Sequence, residues 1–217
     1  MAVYAESRGR ITEVEPFGLL TEGVAGIAVI VLTVIALAGV SVPLLASIAA
    51  IVIGIGLTVQ AFNSAAEEAR VMAPGAGVSA QDPTFSGEVM VGSACGLAGI
   101  VLGVLALVGI NSAHLLPAAL IVFGSSLLLS GVMSMRPRTL SVTSAGTETQ
   151  VATYRASPAA GGLEILTGLA AIVLGILSVI MAPFGVLVLV GFLAVGAALL
   201  VVSATFAGAA MRLFATA

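Results

Sequence analysis

Six stretches of the chain are almost free of charged side chains: roughly 18–40, 43–65, 88–110, 115–134, 161–181 and 184–208. Each is close to the 20 or so residues needed to cross a bilayer as a helix. Short breaks at 41–42, 111–114 and 182–183 join the runs into pairs, and the longer polar segments 66–87 and 135–160 separate one pair from the next. Lipid supplies no partners for backbone N–H and C=O groups, so a spanning segment must be a helix or part of a closed barrel. Continuous apolar runs lack the in–out alternation of barrel strands. The pattern predicts an all-α membrane protein with six transmembrane helices. Its parts are a tail (1–17), a helical hairpin (18–65), a loop (66–87), a second hairpin (88–134), a second loop (135–160) and a third hairpin ending the chain (161–217).

The three hairpins read as copies of one another. GLAGIVLG at 96–103 returns as GLAAIVLG at 168–175, and more faintly as GIAVIVLT at 26–33. Aligning Gly26, Gly96 and Gly168 brings Gly54, Gly124 and Gly196 into a second column without a gap. Ala28/Ala98/Ala170, Ile30/Ile100/Ile172, Val31/Val101/Val173, Leu32/Leu102/Leu174 and Leu57/Leu127/Leu199 fall into register with them. Self-similarity at a fixed period marks a supersecondary unit that cannot bury its own face. The expected architecture is therefore three two-helix repeats in a pseudo-threefold arrangement. All three would share one orientation, unlike the inverted repeats of many transporters.

Small residues recur along the helices at spacings that make a face. The third run carries Gly92, Gly96, Gly99 and Gly103; the fifth carries Gly168, Ala171 and Gly175; the even runs carry Gly54/Ala61, Gly124/Gly131 and Gly196/Ser203. Such stripes let backbones approach closely, and van der Waals contact is a main driver of helix association in lipid. They predict tight packing within the chain. They also raise self-association into a homo-oligomer, or association with other membrane proteins.

Composition sharpens this picture. Sixty per cent of the residues are hydrophobic, 8% are charged, and the mean hydropathy is +1.25, values that belong to a chain dissolved in lipid. There is no lysine. The seven arginines (Arg8, Arg10, Arg70, Arg136, Arg138, Arg155 and Arg212) all lie in the tail, the two long loops or the C-terminal end, which six crossings place on one side. The positive-inside rule then puts both termini in the cytoplasm. The first run follows Glu6, Glu13 and Glu15 as well as Arg8 and Arg10, and reads as a retained helix rather than a signal peptide. A single cysteine, Cys95, excludes an intramolecular disulfide.

Candidate chemistry is sparse. Glu22 and Glu164 occupy equivalent positions one turn before the first glycine of their repeats, where the second repeat has Gly92. Carboxylates inside spans often mark ion or proton pathways, and Gln60 could join them. The simpler reading places both near helix starts at Pro16 and Pro158, where the dipole and interfacial water tolerate a negative charge. Glu88 reads as a first-turn residue, Asn63 as a helix-end hydrogen-bonding group, and His114 as a solvated turn residue. Residues 138–155 suit either a small β-hairpin turning near Ser144–Gly146 or a flexible coil. Without lysine there is no Schiff base. One histidine cannot ligate a haem twice, and no cluster has metal-ligand spacing. No nucleophile–base pair or phosphate-binding glycine loop is present, and a net charge of −3 gives no support for nucleic-acid binding. The expectation is a non-enzymatic protein without catalytic residues, metal or cofactor.

At GLAGIVLGVLALVGI and GLAAIVLGILSVIMAP the repeat resembles the acid-resistance membrane proteins of the HdeD type. Pro183 stands at the turn proline of that pattern; Pro43 and Pro117 are displaced from it, there is no tryptophan, and the loops are long. The resemblance implies a multi-pass protein of the bacterial inner (plasma) membrane, linked to stress or acid tolerance. The leading expectation is thus a structural or assembly role. The alternatives are a proton or small-solute channel or transporter using Glu22, Glu164 and Gln60, and an accessory subunit of a larger membrane complex. With both termini in the cytoplasm, a fluorescent protein fused to the C-terminus should fluoresce, while an alkaline phosphatase fused there should be inactive. An active phosphatase would reverse the orientation.

Overall fold

The computed structural model describes residues 15–71, 83–134, 139–144, 147–152, 158–181 and 185–215, with side-chain surroundings for 23–62, 90–133, 161–181 and 185–204. The described residues form six helices: α1 (Glu15–Leu37), α2 (Val42–Val71), α3 (Pro83–Leu107), α4 (Ser112–Ser134), α5 (Pro158–Ile180) and α6 (Gly185–Ala215). Five of them hold apolar stretches long enough to span a bilayer: Val42–Phe62, Met90–Leu107, Ser112–Met133, Gly161–Ile180 and Gly185–Ala204. In α1 the described apolar stretch, Gly23–Leu37, is shorter. The chain is a multi-pass membrane protein.

Several helices outrun their apolar segments. α2 continues to Val71 through AAEEAR, because alanine, glutamate and arginine favour helix whether or not they are buried. α3 and α5 begin at Pro83 and Pro158, where a missing N–H is not needed and the fixed φ suits a first turn. The polar segment 66–87 is accordingly helical at both ends. The segment 135–160 contains a two-stranded antiparallel hairpin, β1 (Thr139–Ser144) and β2 (Thr147–Ala152), paired from Thr139↔Ala152 to Ser144↔Thr147. Of the two readings for this segment, the hairpin is the one formed; Ala145 and Gly146 lie outside the described residues.

Only four residues separate the helices within each pair. In the second turn Gly109, at φ +89°, ends α3: its N–H donates to Ala106 O (3.1 Å) and that of Ile110 to Leu105 O (3.1 Å), a Schellman closure. Gly39 ends α1 at φ +91°, with its N–H donating to Ala36 O at 3.0 Å. Ser41 and Asn111 follow at φ 39° and 44°, and their carbonyls accept the first N–H groups of α2 and α4. Asparagine tolerates this left-handed conformation better than serine does.

The packing separates inner from outer helices. α2, α4 and α6 touch one another, while each of α1, α3 and α5 wedges between two of them: α1 between α6 and α2, α3 between α2 and α4, α5 between α4 and α6. The inner trio is filled by apolar side chains. Ala50, Leu120 and Phe192 are fully buried, as are Ile53, Phe123 and Val195, and Leu57, Leu127 and Leu199 nearly so. Each of these sets stands at the sequence spacings of 70 and 72. Phe123 and Phe192 contact with ring centroids 6.2 Å apart and planes inclined by 57°, within the favourable range for tilted aromatic pairs. The outer helices turn large residues outward, again in the same columns: Ile27/Leu97/Leu169, Val31/Val101/Val173 and Val34/Val104/Ile176 are exposed on the bundle surface.

Phe123 is one of the two largest side chains in the filled centre, so Phe123→Ala should leave a cavity and cost about 3–5 kcal/mol. Reversible unfolding in mixed detergent micelles measures this directly. A loss below about 1 kcal/mol, the scale of a surface change, would show that the centre is not packed as described.

Candidate functional site

The small residues singled out in the sequence all lie at helix seams within the chain. Gly54 of α2 and Gly96 of α3 face each other: a methyl group placed on Gly54 would sit 2.7 Å from Gly96 O, and one on Gly96 would sit 2.8 Å from Gly54 O. Gly124 of α4 and Gly168 of α5 repeat the arrangement at 2.7 and 2.6 Å. Gly196 of α6 and Gly26 of α1 do so more loosely, at 3.3 and 3.0 Å. The distances at the first two pairs are too short for a real Cβ, and those at the third are tight enough that the neighbour would have to give. The pairs bring one backbone's Cα hydrogens against the other's carbonyl oxygen, a geometry that supplies weak Cα–H···O attraction as well as dispersion. Thr58 reinforces the first seam, its hydroxyl donating to Gly54 O at 2.8 Å beside Gly96.

Neighbouring turns continue the seams. Gly92 meets Ala61, Gly131 meets Gly161 O at 2.8 Å, and Gly23 meets Ser203 Oγ at 3.2 Å. Gly103 lies against Ile51 and Ser47 O, and Gly175 against Ile121 and Pro117 O. Gly99 belongs to the same stripe as Gly92, Gly96 and Gly103 but serves a different helix: Phe123 of α4 fills the space beside it. The stripe of α3 thus divides between its two neighbours. Sequence reasoning did not single out Gly191, which receives Leu120 at the inner contact of α4 with α6. Its signal was available as the small member of the column Ala49/Ala119/Gly191, whose other members are fully buried.

The polar candidates are dispersed. Glu164 is 5% exposed, six residues into α5 from Pro158. Its buried face otherwise consists of Gly161, Thr167, Gly168, Ala171, Gly175 and Ser178, so Glu164 is the one long side chain on it. Because α5 packs against α4 and α6, the carboxyl group is enclosed by protein rather than turned to lipid. Gln60, on α2, is half-buried. Glu22 lies on α1, and its side chain falls outside the described residues, as do those of Asn63 and Glu88. Among the described residues, α5 touches neither α1 nor α2. Glu164 therefore lies on a helix that does not touch the one carrying Gln60. His114 is exposed in the first turn of α4, and Cys95 is a half-buried free thiol.

Three other buried hydroxyls are held within their own helices. Thr33 donates to Val29 O at 2.8 Å, Ser47 to Pro43 O at 2.6 Å and Ser203 to Leu200 O at 2.9 Å. Hydroxyls bonded one turn back are satisfied without a ligand. No group of three or more metal-ligating side chains occurs among the described residues. Compared with protein-family models, curated proteins and solved structures, the chain gives no match to any of them.

The geometry predicts which substitutions break the seams. Gly168→Val would force the α4–α5 backbones apart, with overpacking of about 1–3 kcal/mol or more, whereas Leu169→Ala next to it faces outward and should change stability little. Thermal unfolding in detergent compares the two. Equal effects would deny the glycine contact.

Proposed function

We propose that the chain is three copies of one helical hairpin arranged about a pseudo-threefold axis, crossing the bacterial inner membrane six times with both termini in the cytoplasm. It serves there as a non-enzymatic structural or assembly protein. The observation that carries this reading is the use made of the interior. The centre of α2, α4 and α6 is closed by Ile53, Leu120, Phe123, Leu127, Phe192, Val195 and Leu199, all buried, and the small-residue faces are occupied by neighbouring helices of the same chain. The common spacing of buried and exposed columns supports the triplication. A closed apolar centre stabilises a scaffold and offers an ion no polar route.

Among the described residues the glycine stripes are occupied by helices of the same chain, so self-association would use other surfaces. Partners, whether a second copy or other membrane proteins, would meet the outward sides of α1, α3 and α5 or the polar segments. The link to stress or acid tolerance rests on the HdeD-type resemblance of the GLAGIVLG and GLAAIVLG segments alone.

One observation favours the channel or transporter reading: the enclosed carboxyl group of Glu164. Flux in proteoliposomes separates the two. With a pH-sensitive dye inside, and potassium with valinomycin setting the voltage, wild type and Glu164→Gln should both give traces equal to protein-free vesicles. Protein-dependent proton flux that the variant loses would overturn the structural reading and make Glu164 part of a pathway.

A further inference from the structure

We infer that the two fully described turns, 38–41 and 108–111, and the end of α5 at Ile180 do not emerge into water but lie inside the far leaflet, seated among lipid at the boundary of acyl chains and headgroups. The partner of this end of the bundle is the bilayer itself. Three independent observations carry the inference.

The first is length. At about 1.5 Å per residue, α1, α3 and α5, of 23, 25 and 23 residues, are each long enough to cross a hydrocarbon core of about 30 Å before they turn. Four residues follow before the chain starts back, so nothing is left to build a loop in the aqueous phase.

The second is chemistry. Residues 38–41, 108–111 and 181–184 read AGVS, VGIN and MAPF, without a charge. The side chains at the tips are both apolar and open: Val108 is 70% exposed, Ile180 73%, and Val40 and Ile110 54% each. An apolar cluster of this kind, at one end of a membrane bundle, is stable against lipid and costly against water. The polar members Ser41, Asn111, Ser112 and His114 suit the headgroup level, where hydrogen bonds to ester and phosphate oxygens are at hand.

The third is the backbone. Turns facing water often close in the same way, but one at the edge of hydrocarbon must satisfy its own N–H and C=O groups. The bonds from Ala38, Gly39, Val108, Gly109, Ile110 and Met181 to carbonyls of the preceding helices, and those from Leu44, Leu45, His114 and Leu115 to Ser41 and Asn111, do this turn by turn.

The test uses the full chain with Cys95→Ala, carrying in turn Val40→Cys, Val108→Cys or Ile180→Cys, each labelled with bimane and reconstituted into phosphatidylcholine/phosphatidylglycerol vesicles. Ser144→Cys in the polar hairpin is the aqueous control. Lipids brominated near the headgroup should quench all three turn labels several-fold more than they quench the control, and iodide should quench the control several-fold more than the turns. Iodide quenching of the turn labels equal to that of the control would overturn the inference and place the tips in water. Protection of the turn labels from both quenchers would also overturn it, in favour of a protein covering that end.

Discussion

Helices in lipid gain little from hiding apolar surface, because the solvent they leave is itself apolar. What holds them together is closeness of contact, and in this chain closeness is set where two glycines meet. Gly54 against Gly96 and Gly124 against Gly168 bring carbonyl oxygens within reach of the opposite Cα. The outer helices can then sink between the inner ones, and the inner ones can meet around Phe123 and Phe192. Larger residues at those four positions would separate the helices and empty the centre. The filled interior is thus a consequence of absent side chains at the seams.

Much of this was legible in the sequence, and the unequal parts have a physical reason. The pairing of spans followed from where polar residues interrupt the apolar runs, and the seam glycines followed from columns shared by the three segments. The assignment of inside and outside did not. Leu97 and Leu120 are the same residue in equally apolar surroundings, yet one faces outward and the other is fully buried. In water, hydrophobicity separates such positions; in lipid it cannot, and residue size on the opposing helix decides instead. The ends of α2 and α3 were also hidden, since hydropathy stops at the membrane while helix propensity continues through AAEEAR. Residues 138–155 carried both strand and coil signals, and pairing across six positions resolved them. Glu164 was visible as a carboxylate within a span. Its enclosure among glycine, alanine and hydroxyl side chains depended on which helices flank α5, and no local pattern states that.

The three seams are not equal. The contact between Gly26 and Gly196 is several tenths of an ångström wider than the other two. The helices it joins, α1 and α6, are the first and last described, whereas the other two seams join helices linked by a polar segment. The closing contact must therefore form between distant parts of the sequence, through the loosest of the three glycine pairs.

The uncharged four-residue turns bear on how such a chain enters a membrane at all. Transferring a charged loop across hydrocarbon is the costly step of membrane insertion, and here it does not arise. Every arginine lies outside the apolar runs, and if six crossings put them all opposite the turns, a pair such as α3 and α4 would sink in as a preformed hairpin, tip first. The Schellman closure at Gly109 leaves few polar backbone groups bare at the leading edge. On that reading, insertion would be three similar steps followed by lateral docking, with the seam glycines needed only at the end.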